Sequence, residues 1–341
     1  MRTPDVICYL ADHPYHTLIP KQDLDRMTQI NYAFGHIRDA VIHVDHFKHY
    51  VQLRENLKDH PHIKVLLSTG GWTADGFSQA MQTEEGRQSM AGSGIELVKS
   101  LKLDGLDWDW EYPGVPAGGI HATPQDRDNF TLFLLLMRKK LDELGKQTGK
   151  RYLQTVAVGA HGRLTSGYDI PRVIDSLDTV NLMTYDLWGE QTSHVTSLHP
   201  SKYTRFSASQ SVEAWHKAGV PLEKLLIGGA LYYHVFMGVQ AEQPGLMAKW
   251  TDHTQGWDAN DHLDKLLVEG EGLVRTWDEE AKAASWFDGA TLVSGDDPQS
   301  MREKGKYILE KGLGGIIFWE YNLDRSGKLL AALDEGIKPE Q

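Results

Sequence analysis

Apolar residues along this chain follow two alternating patterns. Short runs rich in Val, Ile, Leu and aromatic residues occupy Val6 to Leu10, Ile30 to Gly35, Lys64 to Ser68, Gly105 to Asp109, Leu153 to Val158, Thr179 to Met183, Leu225 to Ala230 and Gly315 to Trp319. They read as buried strands. Longer stretches with helical apolar spacing lie between them: Glu84 to Lys102, Gln125 to Leu144, Ser207 to Ala218 and Pro298 to Lys311. Strands alternating with helices build a parallel sheet with crossover connections. Eight such strands predict an α/β fold closed as a (β/α)8 TIM barrel, whose active sites lie at the carboxyl ends of the strands. One interval breaks the rhythm. Residues 237–292, between the seventh strand and the next helix, are too many for a simple crossover and carry Trp250, Trp257, Trp277 and Trp286 among Gly and charged residues. They read as a small inserted subdomain, the alternative being a long surface loop.

Composition changes this picture little. With 341 residues, 40% of them apolar and 24% charged, the chain is an ordinary globular protein, read as a single barrel over 1–341 with the insertion inside it. A formal net charge of −12 with scattered basic residues argues against nucleic acid as a partner. Cys8 is the only cysteine, which excludes an intrachain disulfide, and it reads as a small buried strand residue. The N-terminus has one arginine and a short apolar run, too little for a secretory leader. The longest strongly apolar stretch, Phe130 to Met137, is far too short to cross a bilayer. A monomer with no membrane association is expected, cytoplasmic unless a leader was removed or an unconventional export route is used.

The densest chemistry lies in LDGLDWDWEYPG, Leu103 to Gly114, where Asp104, Asp107, Asp109 and Glu111 stand among apolar and aromatic residues. On a strand, Asp107, Asp109 and Glu111 share one face and Trp108 and Trp110 the other. Repulsion and desolvation then favour the neutral acid, so at least one of the three is expected to keep its proton above the ordinary carboxyl range. Acids split in this way mark acid–base sites. A metal cage would need further oxygen ligands from neighbouring elements, and a solvated face would not be framed by Trp and Tyr.

Three further motifs follow in order. KVLLSTGGW contains Ser68, Gly70 and Gly71; NLMTYDLWG contains Met183, Tyr185 and Asp186; GGIIFWEYNLD contains Trp319. Together with DxxDxDxE at Asp104, Asp107, Asp109 and Glu111, they resemble the SxGG, MxYD and last-strand tryptophan motifs of the glycoside hydrolase family 18 chitinases, from about Val6 to Leu333. The resemblance implies hydrolysis of β-1,4-linked N-acetylglucosamine, in chitin or chitooligosaccharides, without cofactor or metal. It also implies retention of configuration, with the substrate's own acetamido oxygen attacking the anomeric carbon. By motif position Glu111 is the acid and then the base, Asp109 orients the acetamido N–H, Asp107 holds Asp109 or shares its proton, and Tyr185 donates to the acetamido oxygen. Trp319 would floor the sugar site. Asp186, Met183, Tyr9, Phe34 and Tyr233 join the expected substrate contacts, and Trp72 and Trp188 are expected stacking platforms. Ser68, Gly70, Gly71 and Asp104 shape the site. An endo-β-N-acetylglucosaminidase or a cell-wall glycan hydrolase would share this chemistry, and a chitin lectin on the same barrel would typically lack Glu111.

Two segments depart from the family pattern. After strand seven the usual PFYGR becomes LYYHV, with Tyr233 kept and Val235 at the arginine's place, and the usual SYDD becomes SGDD at Ser294 to Asp297. His43, His46 and His49 recur every three residues, a spacing read as a polar helix face because no zinc-type spacing accompanies it.

Overall fold

The computed structural model describes residues 3–13, 19–258 and 272–338. Eight parallel strands close into a barrel: β1 (Asp5–Ala11), β2 (Gln29–Arg38), β4 (Lys64–Gly70), β5 (Gly105–Asp109), β6 (Leu153–Gly159), β7 (Thr179–Met183), β8 (Leu225–Ala230) and β14 (Gly315–Trp319). Their order is β1-β14-β8-β7-β6-β5-β4-β2, and β1 pairs with β2 to complete the ring. A short β3 (Val41–His43) hairpins back onto β2. All eight runs expected to be strands are barrel strands, because residues buried on both faces leave a continuous apolar signal.

Helices pack around the ring where the apolar spacing placed them. Asp126–Thr148 runs one turn past the expected end and stops at Gly149, whose left-handed backbone (φ +71°) suits glycine. Thr83, Ser207 and Asp297 cap the N-termini of Glu84–Ser100, Ala208–Lys217 and Pro298–Lys311 by accepting backbone N–H groups. The outward residues of β5 join this layer: Trp108 meets Phe133 edge-on at 4.8 Å, and Trp110, just beyond the strand, stacks on Phe77 at 5.2 Å. Inside the ring, Ile7, Tyr9, Ala157, Met183, Leu226 and Ile317 form a separate packed cluster.

A second, antiparallel sheet lies between β8 and the helix at Pro298. It comprises β9 (Tyr232–Met237), β10 (Asp252–Asp258), β11 (Val274–Asp278), β12 (Ala283–Phe287) and β13 (Leu292–Gly295), in the order β10-β9-β13-β12-β11. It begins before residue 237 and ends after residue 292, since β9 follows β8 with only Leu231 between them. Residues 259–271 of the expected insertion lie outside the described residues. The sheet is tied to the barrel by a fully buried ion pair: Lys304 meets Asp296, which also accepts the backbone N–H of Ala230 at 3.0 Å. The second half of SGDD is therefore a structural joint.

The three-residue histidine spacing does not lie on a helix. His43 is in β3, His46 stacks on His36 of β2 at 4.3 Å, and His49 precedes the helix Tyr50–Asn56. His43 ends a strand and the irregular segment 44–49 follows before the helix begins at Tyr50, so the three never share a helical register. Among the described residues no helix is long and apolar enough to cross a membrane.

Candidate active site

β5 carries its acids inward at the carboxyl end of the barrel. Asp107 sits fully buried as a hub, accepting from Tyr9 of β1 (2.9 Å), Ser68 of β4 (2.7 Å), Asn181 of β7 (3.3 Å) and Thr155 of β6. Burial pushes its carboxyl up, against the pull of these four donors. One step further out, Asp109 is also buried, and its Oδ1 has no hydrogen-bond partner among the described residues. Burial, followed by the fields of Glu111 and Asp107, holds Asp109 well above the carboxylate range. Glu111, just beyond the strand, is pushed up to about 7 by burial, with Asp186 adding to the shift and a hydrogen bond from Tyr112 opposing it.

The glycines of SxGG make room for this arrangement. A side chain at Gly70 (φ +119°) would lie 2.0 Å from the carbonyl oxygen of Asp109, and one at Gly71 would meet the Phe34 ring at 2.9 Å. The close approach lets Gly71 N–H donate to that same carbonyl at 2.9 Å. Asp104 lies at the opposite end of β5, where it accepts from the Val65 N–H at 3.0 Å and pairs with Lys150 at 3.2 Å. It takes no part in the crowding of the other three acids.

Around the acids, Trp319 is half-buried and stacks on Phe34 with centroids 5.4 Å apart and planes 15° from parallel. Met183 packs beneath them. Tyr185 packs against the same inner cluster as Phe34 and Trp319, and burial with the charges of Asp109, Asp186 and Glu111 pushes its hydroxyl well up. Asp186 turns back with φ +57°, and its carboxylate accepts from Tyr232 at 2.7 Å and lies 2.6 Å from His234 Nε2. Trp72 stands at the end of β4 with 60% of its surface exposed. Trp188 is half-buried against His253 of β10, at 4.4 Å.

Two expected contacts are corrected. Tyr9 is buried inside the barrel with its hydroxyl committed to Asp107, so it braces that acid and does not face a substrate. Tyr233 is wholly buried against Trp286 on the face of β9 turned away from Asp186, because alternate strand residues point oppositely. Its neighbours Tyr232 and His234 are also buried but point toward Asp186 instead. Thr155, Asn181, Tyr112, Tyr232 and His234 escaped the sequence reading. For Thr155 and Asn181 a signal existed: each is a polar residue at the inward parity of an otherwise apolar strand.

The model of the glycosyl hydrolases family 18 matches residues 5–324. Chitinase A1 of Niallia circulans is 31% identical over 314 residues, which is 84% of this chain and 44% of that protein. Chitotriosidase-1 of Mus musculus is 30% identical over 347 residues, 94% of this chain and 73% of that protein. This chain thus spans less than half of the bacterial relative. Among solved structures, a family 18 N-acetylglucosaminidase from Paenibacillus barengoltzii superposes with a TM-score of 0.92 at 40% identity, covering 98% of this chain and 99% of that one. The four motifs converge at one end of the barrel and the match runs through all of them: the chain belongs to glycosyl hydrolase family 18.

Proposed function

We propose that the protein hydrolyses β-1,4-linked N-acetylglucosamine, in chitin-derived oligosaccharides, with retention and by participation of the substrate's acetamido group. The observation that carries this reading is the pairing of a buried, unpartnered Asp109 oxygen with a Glu111 carboxyl pushed up to about 7. Glu111 as the acid gives its proton to the glycosidic oxygen while the bond from that oxygen to the anomeric carbon breaks. The acetamido oxygen bonds to the same carbon, forming an oxazolinium ion. Asp109 accepts the acetamido N–H at its free oxygen and, in its ionised form, balances the positive charge. Asp107, fixed by four donors, keeps Asp109 in place, and the three acids titrate as a coupled set. Water then attacks the anomeric carbon as its bond to the acetamido oxygen breaks, and gives a proton to the Glu111 carboxylate, which restores the acid. Tyr185 donates to the acetamido oxygen, Trp319 and Phe34 form an apolar floor for the pyranose C–H face, and Trp72 offers an exposed platform at a flanking position.

Within this chemistry, the match along the full length of the P. barengoltzii N-acetylglucosaminidase favours release of N-acetylglucosamine itself. Mass spectrometry of products from chitooligosaccharides, peptidoglycan and a high-mannose glycopeptide tests the substrate, with early monomer from chitooligosaccharides as the expected result. The anomer formed first, read by NMR, and inhibition by a thiazoline analogue of the oxazolinium ion test the mechanism. An inverted anomer, or no binding of the thiazoline, would defeat it.

A further inference from the structure

A second titratable chain borders the cleft, and the reaction scheme leaves it unused. Tyr232 and His234 project from one face of β9 toward Asp186, and the other ring nitrogen of His234, Nδ1, lies 2.8 Å from Nε2 of His253 on β10. His234 is buried, whereas His253 is half-buried and adjoins Asp252. Among the described residues, the charged and titratable groups facing His234 are Asp186 from the segment after β7, His253 from β10 and Tyr232 on its own strand, while β13 places Ser294 opposite it.

Hydrogen-bond arithmetic constrains this chain. An ionised Asp186 only accepts, so His234 Nε2 carries hydrogen. A neutral His234 then accepts at Nδ1, and His253 donates from Nε2. One more proton, entering at His253 Nδ1, is accommodated when the shared hydrogen moves to His234 Nδ1. His234 becomes an imidazolium and both hydrogen bonds survive. Burial and the neighbouring His234 push His253 down. Asp186 in turn adds to the proton affinity of Glu111.

We propose that His234 is a positioning residue for the glycosidase reaction: it fixes the Asp186 carboxylate beside Glu111, and with His253 it forms a relay whose uptake of one proton cancels that carboxylate's field. The inference rests on the glycosidase reading above. In acid the cationic relay lowers the proton affinity of Glu111, so the carboxylate that must take a proton from water persists, and with it activity, to lower pH than the acids alone would allow.

The test uses three variants of the full chain. His234→Gln can still donate to Asp186 but cannot become cationic, so kcat at pH 7 should stay within about threefold while the acid limb of kcat/KM moves up by about half a pH unit or more. His234→Phe loses the donor, and kcat should fall about tenfold or more with KM changed less than about threefold. His253→Gln, at a half-buried position that tolerates change, should shift the acid limb as His234→Gln does, and it serves where the buried variants fail to fold. Acid limbs of the glutamine variants superimposable on the wild type would overturn the relay, and a fully active His234→Phe would overturn the positioning role. Wild-type turnover is the control. Its absence defeats the glycosidase reading and leaves the relay to 15N NMR of the imidazoles in the resting protein. There His234 should show the Nε2–H tautomer at high pH, and the Nδ1–H tautomer would overturn the proposal.

Discussion

At the scale of single residues, the environment of each acid sets its expected role. Glu111 keeps its proton up to about 7, so kcat/KM should fall as pH rises through that value, because the form lost is the proton donor. Glu111→Gln should lower turnover by about two orders of magnitude or more while leaving oligosaccharide affinity intact, as read by calorimetry beside steady-state rates. Equal loss of binding would make Glu111 structural. Tyr185 differs in kind, since its contribution grows as the acetamido oxygen bonds to the anomeric carbon. Tyr185→Phe should lower kcat and kcat/KM alike, by about 2 kcal/mol or roughly thirtyfold, with KM little changed. Its melting temperature should barely move. A destabilised but fully active variant would instead make the tyrosine a core residue.

At the scale of elements, the site depends on how closely β4 approaches β5. Gly70 pairs with Asp109 across the two strands, and its φ of +119° is one that an L side chain rarely adopts. Gly70→Ala would drive a methyl group into the Asp109 carbonyl. The cost should be about 2 kcal/mol or more from overpacking and backbone strain, measured as a drop in the denaturant midpoint. Turnover should fall as well, since the backbone that would move carries Asp109. A variant with unchanged stability would show that the two strands can separate without cost. The joint between the sheets makes a similar claim. Lys304→Met removes the only cation that pairs with the buried Asp296 among the described residues, which should cost about 3–5 kcal/mol, with partial recovery when Asp296→Asn is added.

For the whole molecule, the raised acids link stability to pH. Glu111 and Glu320 are pushed up to about 7 and Asp324 to about 6, each chiefly by burial, and burial also raises Asp109 well above its ordinary value. Between the ordinary carboxyl range and about 7, the folded state therefore binds more protons than the unfolded chain. Unfolding free energy should decline as pH rises through that window. At the acid end the sign reverses: Asp12, Asp75 and Asp278 are held below the usual range by hydrogen bonds that outweigh burial, and the stability they contribute is lost as pH falls through their folded values. Urea titrations from pH 4 to 8 should show maximal stability on the acid side of neutrality. Glu320→Gln should flatten the decline toward pH 8, and an unchanged slope would mean that Glu320 titrates normally.

The local pattern of the chain by itself determined the eight strands, the main helices and the gathering of Asp107, Asp109 and Glu111 on one face. Each of these follows from the spacing of near neighbours, since a period of two places Asp107 and Asp109 on one face whatever surrounds the strand. The close approach at Gly70 and Gly71 was legible as a motif, although its reason, the carbonyl of Asp109 and the ring of Phe34, was not. Tertiary structure alone decided which residues meet the acids. Thr155, Asn181, Ser68 and Tyr9 come from four different strands and converge on Asp107 only when the ring closes, so Tyr9 resembled a substrate contact until its hydroxyl had a partner. The choice of Tyr232 and His234 over Tyr233 depended on which face of β9 turns toward Asp186. Alternation along a strand divides its residues into two sets, and only packing against the rest of the chain decides which set faces the cleft.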